Sequence, residues 1–284
     1  MNLTRARWLV TGVYIITLAI CVVTGIILGP MNMILKALIL DIIGTAIIFL
    51  FSLTFNNSSM YDAYWSVAPI PILVYWMWLS PGEADIIRQV IIIGMVSIWG
   101  YRLTYNWAKR WKGMKDEDWR YVNFRNQFGK WYWPISFLGI HLFPTLIVFA
   151  ALIPLYFAMH SVAPPGIFDF LALVVTGCAI LIEWKADREL RFYLRNNGGH
   201  PFLKTGLWKY SRHPNYFGEV LFWIGLFLFS LSHTPFVWWT VPGPVLMTLL
   251  FYFISIPMID KRMLSRKQGY AEYMASTSGL IPWP

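Results

Sequence analysis

The chain has 284 residues, of which 57% are hydrophobic and only 13% charged, about half the roughly 25% charged content of a soluble domain. That balance excludes a soluble globular protein and predicts an all-α, polytopic membrane helical bundle forming one domain over residues 1–284. The net charge of +9 does not point to nucleic acid, because the basic residues flank apolar runs and no nucleic-acid motif accompanies them.

In chain order, Arg5 and Arg7 precede a first apolar run, Trp8 to Leu28. It is long enough to cross about 30 Å of hydrocarbon and too long for the apolar part of a signal peptide. The second run covers Ile34 to Phe55 and contains Asp41, a carboxyl that needs a partner at such depth. The polar and aromatic stretch NNSSMYDAYWSVAP leads into a short third span over Ser66 to Ser80. The fourth runs from Ile86 to Trp107, the fifth from Trp133 to Phe157 with a kink expected at Pro144, and the sixth from Phe168 to Trp184. A seventh begins near Pro214, whose ring suits a first helical turn, and an eighth covers Trp238 to Pro257. About eight spans are expected, within a range of seven to nine.

Charge is distributed unevenly between the connecting loops. Residues 108–130 hold seven Lys or Arg against three acids, and residues 185–213 hold another seven. The intervening loops at 29–33, 81–85, 159–166 and 232–237 hold none. The asymmetry predicts that both termini and the basic loops are cytoplasmic, which gathers every polar motif on one face. Cys21 and Cys178 lie in apolar runs and the five histidines lack ligand spacing, so neither a disulfide framework nor a metal site is expected. No Rossmann or P-loop glycine pattern occurs.

Three groups of residues carry possible chemistry. The stretch LWKYSRHPNYFGE, residues 207–219, places Lys209, Tyr210, Arg212, His213, Asn215, Tyr216 and Glu219 directly before an apolar helix. Asn215, Glu219 and Phe222 share a face, and an acid one turn inside lipid must face protein or a wet cavity. Glu183, Asp187, Arg191 and Arg195 recur every four residues as one stripe. Alone, that stripe reads as a solvated helix; with His200, Arg212 and Asn215 it reads equally as a cationic pocket for a phosphorylated cofactor, which Gly198 and Gly199 would let approach the backbone. Opposite these stand Asp62, able to donate to a carbonyl oxygen, and Tyr101 with Tyr105 one turn apart, while Tyr64 and Trp65 read as interfacial belt residues.

LWKYSRHPNYFGE and the tail KRML…GYAEYM…LIPWP, with YDAYWSVAP, WGYRLTYNWAKR and DWRYVNFRNQFG, resemble the bacterial branch of the membrane steroid 5-alpha-reductase family. The similarity covers the whole chain and is strongest over residues 182–284, which carry the cofactor-site motifs. It implies NADPH as cofactor, hydride transfer to a carbon–carbon double bond conjugated to a carbonyl, a lipophilic small-molecule substrate entering from the bilayer, and a bacterial inner membrane location. Residue by residue it implies that Asn215 and Glu219 form an Asn-x-x-Gly-Glu motif against the cofactor. Arg102, Asp187, Arg195, Arg212, His213 and Tyr216 fall on the cofactor side, and Asp62 and Tyr101, with Glu219, take the catalytic roles. The tail departs from the family, with Ile259 or Asp260 where a cofactor-side histidine belongs. RHPNY-x-G also resembles the isoprenylcysteine and phospholipid methyltransferases, which use S-adenosylmethionine; the adjacent acid pair of their tail is missing. A transporter is disfavoured, because the polar residues cluster at one face and no inverted repeat is visible. No protein partner is expected.

Overall fold

The structure, a computed structural model, describes residues 2–196, 201–233 and 236–283. Among these residues thirteen α-helices account for the architecture and no strand forms, only an isolated bridge between Ser211 and Ser278. The helices are α1 Leu3–Ile27, α2 Met33–Thr54, α3 Tyr61–Val67, α4 Pro69–Trp78, α5 Ile86–Arg110, α6 Trp119–Phe128 and α7 Tyr132–Ile135. They continue as α8 Phe143–His160, α9 Ile167–Arg195, α10 Pro214–Phe229, α11 Pro242–Leu250, α12 Ile256–Leu264 and α13 Tyr270–Ser276. Asn2, Asn32, Asp85 and Asp118 start α1, α2, α5 and α6 by accepting a backbone N–H in the first turn, the expected use of short polar side chains.

Seven helical stretches of the described residues are long and apolar enough to cross a membrane. The expected third span, Ser66 to Ser80, is the exception, because its helix α4 is only ten residues long, set off from α3 at Ala68 ahead of Pro69. Together these two still run antiparallel along α5. Ser66 meets Thr104 at 3.2 Å near one end, and Ser80 accepts from Gln89 at 2.7 Å near the other. Fifteen residues of α5 separate those contacts, about 22 Å of helix, so the broken pair traverses much of the bundle.

Two prolines also account for the π-helical turns. Pro144 and Pro257 cannot donate to the carbonyl one turn back, and each is preceded by a π-helical segment, Ser136–Leu142 and Phe251–Ser255. The kink expected at Pro144 is thus a shifted hydrogen-bond register just ahead of it.

The longest helix, α9, packs against α10 over the most extensive interface of the bundle. Ala172, Thr176, Ala179, Glu183 and Ala186 form its buried stripe, opposite Gly218 and Gly225. A side chain at Gly225 would lie 2.8 Å from the Thr176 nitrogen and 3.1 Å from its Cα, so only glycine permits this approach. Small residues facing one another are how helices associate where lipid removes the hydrophobic drive between them.

Both ends of the bundle are tied by polar contacts, and their partners agree with an even number of crossings. Arg7 donates to the Ala108 carbonyl, Asn57 to those of Met114 and Asp116, and the Trp283 N–H to Tyr210. The N-terminus, residues 56–60, the 108–119 loop and the C-terminal tail therefore share one basic end. At the opposite end Arg88, 1% exposed, meets Asp169 through Nε at 2.5 Å and Nη2 at 3.1 Å, and also donates to the carbonyls of Ser161 and Ala163. Ser232 and the Gly166 N–H complete the Asp169 carboxylate.

Candidate functional site

Three helices converge on one guanidinium. Arg102 on α5 reaches Asp187 on α9 at 2.6 Å, Glu183 on α9 at 2.7 Å and Glu219 on α10 at 3.5 Å. Asn106, one turn further along α5, donates to Asp187 at 2.7 Å and accepts from Arg191 at 2.7 Å. Glu219 is 3% exposed, and its Oε1 accepts from the indoles of Trp99 at 2.9 Å and Trp223 at 3.1 Å. Glycine makes room for the group, because a side chain at Gly218 would run into Glu183 and lie 3.1 Å from the Ala179 carbonyl.

The cluster is rich in acceptors and short of donors. Arg102 Nη2 sits close to Glu183 but is misaligned for a hydrogen bond, and neither Glu183 oxygen accepts one from any described residue. Arg102 Nε is likewise buried without an acceptor. Buried polar groups left this way cost about 1–3 kcal/mol each unless something fills the site. Asn215, one helical turn before Glu219 on the same face, is half-buried and its carboxamide makes no hydrogen bond among the described residues.

The sequence-predicted residues distribute as follows. Arg102, Asp187 and Glu219 come together, with Asn215 on the same face of α10. Arg212 and His213 instead converge on Asp260, at 2.8 and 3.0 Å, where the Tyr270 hydroxyl also donates at 2.6 Å. Arg212 further donates to the Met274 and Thr277 carbonyls, so the pair binds the C-terminal tail to the start of α10. Tyr216 stacks on His213 with ring centroids 5.4 Å apart and tilts against Phe251. Arg195 is exposed at the last turn of α9, and His200, Gly198 and Gly199 lie outside the described residues.

The expected carbonyl-polarising pair does not assemble. Tyr101 is 70% exposed and stacks on Tyr105 at the outer surface, because adjacent positions on α5 point about 100° apart and Arg102 takes the inward one. Asp62 on α3 accepts from the Tyr121 hydroxyl, and burial pushes its carboxyl up to about 6 against the opposing pull of Arg120 and Tyr121.

A different acid and phenol share a cavity. Asp41, 6% exposed, lines a space of about 10 Å³ with Tyr64, Trp65 and Thr145, enough for one water, and has no hydrogen-bond or ion-pair partner among the described residues. Trp65 closes one side and packs edge-on against Trp99 at 5.4 Å, whose indole holds Glu219. The Trp65–Trp99 contact links the Asp41 cavity to the Arg102 cluster. The sequence had shown Asp41 to need a partner; Trp99, Arg102 and Asn106 recur on one face of α5, which was the available signal for the cluster.

The family model described as "Protein of unknown function (DUF1295)" matches residues 48–277, which include every member of the Arg102 cluster but not Asp41. An uncharacterized protein of Schizosaccharomyces pombe is 27% identical over 219 residues, 66% of this chain and 64% of that protein. The chain thus spans under two thirds of the length of the curated relative it matches. No solved structure matches. With most of its length inside the match, the protein belongs to the DUF1295 family, a membrane family of the steroid 5-alpha-reductase and methyltransferase type.

Proposed function

We propose that the protein is an NADPH-dependent membrane reductase of a carbon–carbon double bond conjugated to a carbonyl, acting on a lipophilic substrate drawn from the bilayer. The basic end, with both termini and the cofactor site, faces the cytoplasm, in keeping with the Lys and Arg asymmetry of the loops. The observation that carries this reading is the convergence of Arg102, Asp187 and Glu219 from three helices beside Glu183 and Asn215, neither of whose side chains is hydrogen-bonded among the described residues. Those groups fit the carboxamide and ribose hydroxyls of a nicotinamide nucleotide, which offer the donors the cluster lacks.

When bound, NADPH would supply the hydride to the carbon β to the carbonyl, and a proton taken up at the α-carbon from solvent after the hydride would complete the reduction. Glu219, fixed by two indole N–H groups, and Asn215 orient the ring end of the cofactor. Asp41 and Tyr64, in place of Asp62 and Tyr101, donate to the substrate oxygen as negative charge develops there. Trp65 and Trp99 exclude water between the two sites.

A second reading has its own observation. Three carboxylates surround one guanidinium at Arg102, and an acid surplus suits the sulfonium of S-adenosylmethionine and hence a methyltransferase. Thermal unfolding of the purified protein with each cofactor separates the two. A ligand at a hundredfold excess over its Kd stabilises by about 2.7 kcal/mol. NADPH is expected to raise the Tm and S-adenosylmethionine to leave it unchanged; the reverse pattern establishes the methyltransferase.

A further inference from the structure

At the basic end, α6 and α12 leave a groove of about 390 Å³ between them, lined by Trp119 and Arg120 from one side and by Lys261, Arg262 and Arg266 from the other. No acid lines it. Arg120 is met by Asp118 at 2.8 Å, but Lys261, Arg262 and Arg266 have no carboxylate within ion-pair distance among the described residues. The Arg262 guanidinium lies 4.0 Å over the Trp119 ring, and its Nη1 is buried with no acceptor.

Basic residues at the cytoplasmic end of a span follow from topology alone, but those remain separate and solvated. Here three cations line one concave surface, and Arg266 opposes the charge on Arg262 more than Asp118 supports it. One of them keeps a dry donor edge, held flat by an indole. A phosphate oxygen relieves both at once, and a planar guanidinium presents paired N–H groups to it. The groove is larger than a bare ion needs and falls within the range of small-molecule sites. Asn123, Gln127 and Ser265 also line it, offering amides and a hydroxyl to a sugar or glycerol beside the phosphate. The Arg102 guanidinium, already faced by three carboxylates, offers such a group no free cation.

We infer that the groove between α6 and α12 is a binding site for a phosphate ester, held by Lys261, Arg262 and Arg266. This site is separate from the Arg102 cluster and does not depend on which cofactor that cluster binds. The phosphate belongs either to an anionic phospholipid headgroup or to a soluble nucleotide, two sources with the same recognition chemistry.

Calorimetric titration of the full-length protein in neutral detergent distinguishes them, with dioctanoyl phosphatidylglycerol, dioctanoylglycerol and adenosine 2′,5′-bisphosphate as probes. At least one phosphate probe is expected to bind the wild type, the lipid indicating a headgroup site and the bisphosphate a nucleotide site. Lys261→Gln/Arg262→Gln should weaken that binding at least tenfold, about 1.4 kcal/mol. Arg5→Gln, which removes an exposed cation outside the groove, should leave it unchanged. Should the double variant fail to fold, Arg266→Gln, at an exposed position, carries the same comparison. The inference is overturned if neither phosphate probe binds, if dioctanoylglycerol binds as tightly as phosphatidylglycerol, or if Arg5→Gln and the groove variants lose affinity equally.

Discussion

Replacing Gly225 with alanine tests how closely α9 and α10 are packed and what that closeness does for the site. The new Cβ would sit 2.8 Å from the Thr176 nitrogen and 3.1 Å from its Cα, against ordinary contact distances of about 3.5–4.0 Å. These are backbone atoms that no rotamer change can move. The helices must part by roughly 0.5–1 Å, which forfeits about a quarter to a half of each dispersion contact along their interface. Overpacking of this kind costs about 1–3 kcal/mol, and the better helix propensity of alanine returns up to about 1 kcal/mol. A net loss of about 1–2 kcal/mol is expected, measured as midpoint shifts in denaturant or thermal unfolding in detergent. Gly12→Ala, where nothing lies within 4 Å of the new methyl, is the control and should be neutral or stabilising. Gly218→Ala should add a second effect, because the displaced side chain is Glu183 and cofactor affinity falls with stability. Equal or greater stability for Gly225→Ala would refute the close helix approach.

Arg88→Met strands the Asp169 carboxylate and should cost about 3–5 kcal/mol, whereas Arg88→Met/Asp169→Leu should recover most of that loss; a double variant no better than the single would show that the pair is not the source. For Asp62, the folded carboxyl titrates near 6 and the unfolded one near the usual 3.9, so the folded state binds more protons across that window. Stability therefore falls as pH rises from about 4 to 6 and stays reduced above it. Asp62→Asn should gain about 1–3 kcal/mol over wild type at pH 7.5 and little at pH 4, read from paired unfolding curves; a constant difference across pH would remove the linkage. Asp41→Asn and Tyr64→Phe should each slow single-turnover NADPH oxidation by an enone about a hundred- to a thousandfold, while Tyr101→Phe leaves it unchanged. Stopped-flow absorbance gives the rates, and the opposite ranking would return the polarising role to the outer face of α5.

The positions of the spans were legible because apolar runs bounded by charge report directly on hydrocarbon thickness. The stripe from Glu183 onward also read correctly as a helix continuing past the membrane, for α9 extends to Arg195. The inward face of α5 was not legible. Tyr101 with Tyr105, and Trp99 with Arg102 and Asn106, are both polar-aromatic faces at helical spacing. In lipid an outward face need not be polar, so periodicity alone does not say which one is buried. Arg212 and His213 carried a similar ambiguity. Their shared partner Asp260 lies 48 and 47 residues away, and only the folded tail shows that the terminal nitrogens of Arg212 and Nε2 of His213 are already engaged. The third span fell short of a crossing length for a local reason that was visible, Pro69, ahead of which the chain breaks between α3 and α4.

The Arg88–Asp169 pair has a mechanical consequence. It binds α5 to α9 and, through Ser161, Ala163 and Ser232, to the ends of α8 and α10, all away from the basic end. Across the molecule, α6 and α12 stand apart around a groove. The pair is buried and multiply bonded while the groove is open to solvent, so local opening costs more at the pair than at the groove. Amide protons of α5 near Arg88 should then exchange with solvent more slowly than those of α6.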